Sequence, residues 1–104
     1  PIKISYVTDT RPVKLIDEIV KNSDLFICEG MYGDDEQLSG AVEKMHMIFS
    51  EAAKIALNSN VKELWLTHFS PSMPSPGDYL EAAASIFQNT VIGRDLMSKT
   101  LKSK

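Results

Sequence analysis

Apolar and polar positions alternate over residues 2–8, with Ile2, Ile4 and Tyr6 set against Lys3 and Ser5, and Val7 closes the run. A period of two predicts a strand. Pro12 then stands where a helix can begin, and Val13, Leu15, Ile16, Ile19 and Val20 form a helical stripe through Lys21. Asn22-Ser23 turns the chain into a second apolar run at 25–28, and Glu29-Gly30-Met31-Tyr32-Gly33 reads as a loop. Residues 34–45 carry a modest helical pattern (Leu38, Ala41, Val42, Met45), with Asp34, Asp35 and Glu36 suited to the positive end of its dipole. A third helix at 50–58 presents Ala52, Ala53, Ile55, Ala56 and Leu57, and Ser50 is its only plausible cap by residue type. The strand at 61–67 delivers His68 into a stretch, 69–77, that holds 3 prolines and a glycine and must be irregular. Asp78 caps a helix to Phe87, residues 90–92 form a short strand, and 96–101 add an edge strand or a last turn.

The order is β-α-β-α-α-β-α-β, and strands separated by helices predict an α/β layered architecture. Four or five short strands beside four helices leave one sheet face to be covered by something else. The chain also begins Pro1-Ile2-Lys3, with no initiator Met, and runs almost at once into a strand. Residues 1–104 therefore read as a single partial domain cut from a longer protein.

Composition narrows the chemistry. At 43% hydrophobic content the chain can build a core, and a net charge of −3 argues against a broad phosphate-binding surface. No apolar stretch approaches the roughly 18 residues of a membrane span, and no signal-peptide pattern opens the chain, so a cytoplasmic location without membrane association is expected. Cys28 lies in an apolar run and reads as a buried thiol.

Two strand ends carry candidate metal ligands, Asp9 and His68. Asp9 alone reads better as a turn former. His68 alone reads equally as a packed core residue or a ligand, although Phe69-Ser70-Pro71 breaks the strand behind it. His46, between methionines, is a half-buried packing residue or a general acid or base. Glu29 either orients His46 or stabilises the turn at Gly30, with the turn preferred. Arg11 and Arg94 are the only arginines, and solvated surface is the expected role of each. No phosphate loop, CxxC, nucleophile elbow or HExxH occurs, and the two histidines are too far apart for a local zinc motif.

Four segments occur in one order: Tyr6-Val7-Thr8-Asp9-Thr10-Arg11-Pro12, Cys28-Glu29-Gly30-Met31-Tyr32-Gly33-Asp34-Asp35, His46-Met47-Ile48-Phe49-Ser50-Glu51-Ala52-Ala53 and Leu66-Thr67-His68-Phe69-Ser70-Pro71. Together they resemble the C-terminal part of ribonuclease Z, the tRNA 3′-end processing endoribonuclease. The resemblance implies the C-terminal half of a metallo-β-lactamase αββα sandwich, a mixed sheet flanked by helices. It implies zinc, two ions in the complete parent, with Asp9 as bridging ligand and His68 as the last histidine ligand. It further implies that His46 assists proton transfer to the leaving group, with Glu29 behind it in no fixed role. The reaction implied is phosphodiester hydrolysis by a metal-bridging hydroxide, with precursor tRNA as substrate.

This chain departs from the family pattern in two ways. Ile48 stands where the family has a Thr that would form a capping box with Glu51, which should weaken the helix start. The family's His-x-His-x-Asp-His motif and tRNA-gripping arm belong to the N-terminal part, the missing half of the same fold. Zinc wants about three or four protein ligands per ion, so Asp9 and His68 are too few for two, and the chain alone is expected to be inactive. Two other readings stay open. One is a different hydrolase of the same fold, a phosphodiesterase or esterase; the other is a non-catalytic α/β module that self-associates through its bare face as a homo-oligomer.

Overall fold

The computed structural model describes residues 1–71, 73, 75–94 and 97–102. Strands β1 (Ile4–Val7), β2 (Leu25–Glu29), β3 (Leu64–Thr67) and β4 (Thr90–Ile92) form one sheet in the order β1-β2-β3-β4. Helices α1 (Lys14–Val20), α2 (Leu38–Lys44), α3 (Phe49–Asn58) and α4 (Leu80–Ile86) separate them, with short 3-10 turns at Asp35–Gln37 and Pro76–Tyr79 ahead of α2 and α4. The α/β architecture and element order are those read from the sequence.

The direction of the strands differs from expectation. All three strand pairings are parallel, so among the described residues the sheet is not mixed. The cause is connectivity: each strand is joined to the next through at least one helix, and such a crossover returns the chain to the same end of the sheet. Every strand therefore releases its loop at one edge, where ligands of parallel sheets gather. Leu96 of the expected last element lies outside the described residues, and the described part of that segment is neither strand nor helix.

Register explains which side is buried. Ser5, Phe26 and Leu64 lie side by side, as do Val7, Cys28 and Leu66, and this face packs against Ile16 and Val20 of α1, the alanines of α3 and Ala83 of α4. Ala52, Ala53 and Ala56 are fully buried, which lets α3 lie close to the sheet. The opposite face is bare at β1, where Ile4 and Tyr6 are 57% and 64% exposed.

The start of α3 corrects one expectation. Ser50 is not the cap; it lies inside the helix and donates to Asp35 Oδ1 at 2.6 Å. The cap position is Ile48, whose backbone N–H donates to Glu51 Oε1 at 3.0 Å. An isoleucine side chain accepts nothing, so half of a reciprocal capping pair survives.

Close approach of the β2 loop to α3 requires glycine. A Cβ on Gly30 would fall 2.5 Å from Phe49 Cε1. Gly30→Ala should cost about 1–3 kcal/mol by overpacking, seen as a lower urea midpoint with an unchanged slope. An unchanged midpoint would show that the Phe49 ring moves aside freely.

Candidate active site

Three consecutive residues of the loop after β1 each make a different contact at the sheet's carboxyl edge. Asp9 Oδ1 lies 3.7 Å from His46 Nδ1 and 3.5 Å from His68 Nε2. The Thr10 backbone N–H donates to Glu29 Oε1 at 3.0 Å. Arg11 reaches across to α3: Nη1 donates to the His46 carbonyl at 2.8 Å and to Glu51 Oε1 at 2.6 Å, and Nη2 donates to Glu51 Oε2 at 2.5 Å. The fold thus brings Asp9, Glu29, His46 and His68 to one place from four separated stretches of sequence.

The cluster is graded from inside to outside. Glu29 at the end of β2 is wholly buried, His46 is 19% exposed by side chain, His68 48% and Asp9 64%. The Glu29 oxygens lie 3.0 and 3.2 Å from His46 Nδ1. An ionised carboxylate only accepts, so this pairing puts the proton on Nδ1 and makes Nε2 the basic nitrogen of the ring. Glu29 was expected to stabilise the turn at Gly30, yet among the described residues its carboxylate accepts no hydrogen bond from that turn. A buried carboxylate needs partners, and among the described residues Thr10 and His46 supply them.

Backbone geometry holds the ring in place. Met45 ends α2 in the left-handed region with φ 59°, and the His46 N–H donates to Ala41 O at 2.9 Å. Two residues further on, Ile48 bridges to Tyr32 of the β2 loop, and the Tyr32 ring meets the His46 ring edge-on at 6.4 Å. Asp9 and His68 are themselves left-handed, with φ of 56° and 58°. Neither is glycine, and each such residue carries strain of order 1–3 kcal/mol; Asn22, Met45 and Asn60 adopt the same region.

Arg94 is exposed, as expected, and with His68, Phe69, Pro76 and Gly93 it lines a cavity of about 580 Å³ beside the site. Arg11 is not the solvated surface residue expected, being 18% exposed by side chain and fully engaged. Glu51 was read only as a capping residue. The signal for their pairing was slight: two opposite charges forty positions apart, each beside a candidate site residue. Cys28 is buried as expected, with Sγ 3.6 Å from Met47 Sδ. Burial pushes its thiol up from the ordinary cysteine value.

One donor atom each from Asp9, Glu29 and His46 lie within 4.8 Å of one another, and His68 adds a second imidazole on Asp9. Carboxylate and imidazole donors suit zinc. With Glu29 held by His46 and Thr10, Asp9 and His68 are the more exposed donors of the group.

No protein-family model matches the chain. Its sequence is 57% identical over 103 residues to ribonuclease Z of Clostridium kluyveri, covering 99% of this chain and 34% of that protein. Against ribonuclease Z of Clostridium acetobutylicum it is 58% identical over 100 residues, covering 96% and 32%. The chain spans about a third of the length of the curated relatives it matches. Its fold is similar to the metallo-beta-lactamase fold protein YhfI from Bacillus subtilis, with a TM-score of 0.71 at 27% identity, covering 86% of this chain and 35% of that one. It is also similar to human tRNase Z, short form, with a TM-score of 0.59 at 28% identity, covering 78% and 26%. The architecture is that of metallo-β-lactamase fold proteins.

Proposed function

Starting from a chain that is ribonuclease Z-like along nearly its whole length, we propose that it is the C-terminal part of a zinc-dependent endoribonuclease that processes tRNA 3′ ends. The observation that carries this reading is the approach of His46 and His68 to the Asp9 carboxylate, at 3.7 and 3.5 Å, at the carboxyl edge of a parallel sheet. Asp9 and His68 would hold zinc from this side. Zinc, when bound, supplies Lewis-acid stabilisation of charge on the phosphodiester.

The chain's own residues do the rest. Glu29, closed to solvent, fixes the His46 ring with its proton on Nδ1. His46 Nε2 then exchanges a proton with the departing oxygen of the cleaved ester. Precursor tRNA is the substrate, the cytoplasm the compartment, and the complete enzyme a homo-oligomer. No helix among the described residues is long and apolar enough to cross a membrane.

The remaining ligands and the cover for Ile4 and Tyr6 belong to the other half of the fold, so the isolated chain is inactive and holds zinc weakly. The test compares the 104-residue chain with the full-length protein on precursor tRNA and on a generic phosphodiester. Cleavage of tRNA by the full-length protein alone is expected. Cleavage by the isolated chain, abolished in Asp9→Ala, would overturn the split site. Equal rates on both substrates would point instead to a general phosphodiesterase of the same fold.

A further inference from the structure

We infer that Arg11 is a positioning residue for His46, locking the proton-transfer imidazole to the loop that carries Asp9. Its guanidinium bridges the His46 backbone and the capping carboxylate of the helix that follows. One nitrogen holds the His46 carbonyl at 2.8 Å, and the fork grips both oxygens of Glu51. Glu51 in turn holds the Ile48 N–H at the cap of α3. Because Ile48 cannot cap with its own side chain, the segment 46–48 depends on this chain of contacts more than a helix with a hydroxyl cap would. Asp9 is two residues from Arg11, so one loop sets the spacing of both groups. Lysine is no substitute: an ammonium is a point charge and does not reproduce the planar fork across a carbonyl and a carboxylate.

The kinetic part of the test rests on the proposed endoribonuclease reading; the spectroscopic part does not. In the full-length protein, Arg11→Ala should lower kcat on precursor tRNA by about 10²-fold, the penalty of a displaced reacting group, with KM unchanged. Arg11→Lys should keep the melting temperature close to the parent's while still losing kcat, which guards against a variant that fails to fold. In ¹⁵N-histidine spectra both variants should shift His46 from a single Nδ1–H tautomer toward a mixture. Parental kcat per folded molecule together with a parental His46 spectrum would overturn the inference, leaving Arg11 a purely structural ion pair. If the unaltered full-length protein leaves precursor tRNA uncut, the functional reading fails and the His46 spectrum alone decides the role of Arg11.

Discussion

On the proposed endoribonuclease reading, His46→Ala in the full-length protein is expected to lower kcat on precursor tRNA by about 10²–10⁴-fold, the range of a lost general acid or base. The size follows from what His46 does and does not touch. On the proposed reading the ring serves as a proton carrier, its Nδ1 paired with the buried Glu29 carboxylate at 3.0 Å, a pairing that a metal-ligating histidine would share. Bound zinc should therefore stay at the parental level in the variant. The defect should also depend on the leaving group. An aryl phosphodiester releases an oxygen acidic enough to depart without a proton, and His46→Ala should cleave it at close to the parental rate. Loss of zinc together with equal loss on both substrates would make His46 a ligand and reverse the assignment.

Phe49→Ala should destabilise the fold by about 3–5 kcal/mol, the cost of truncating a buried aromatic side chain. Phe49 is fully buried at the first position of α3. Its ring packs 5.8 Å from Phe69 and 6.3 Å from Tyr79 and presses on Gly30, so one side chain joins α3 to the loops after β2 and β3. Those loops carry Glu29 and His68 at their starts. Truncation leaves a cavity where three segments meet, and collapse of any one of them drags a site residue. Denaturant melts of parent and variant check the magnitude, and a loss under about 1 kcal/mol would mean that the cluster refills the space.

The sequence carried the elements better than their partners. The strand at 90–92 has the bounds its short apolar run suggested, and the helix through 50–58 begins a single residue early, at Phe49. Periodicity is a local signal, and it works where a buried face repeats. It does not reveal that Arg11 closes on Glu51, because nothing within either helix pattern requires that pair. For the same reason it did not reveal that the Glu29 carboxylate turns inward to His46. A carboxylate at a strand end looks alike whether it caps a turn or sits fully enclosed, and only the arrival of Thr10 and His46 from elsewhere decides it. The mixed sheet was expected from the family resemblance, whereas the helix between each pair of strands argued locally for parallel ones. Asp9 and His68 were legible as strand-end donors, but their left-handed backbones were not.

Those two backbones have a consequence for how the chain can drift. At both positions glycine would relieve strain and raise stability, and at both it would erase the donor. A lineage released from the chemistry would find the same two replacements favoured on thermodynamic grounds alone. Glycine at positions 9 and 68 would then be the fossil mark of an abandoned centre in an otherwise sound fold. Asp9 and His68 keep both donors at that cost in stability, while Asn22, Met45 and Asn60 adopt the same backbone region with no donor at stake.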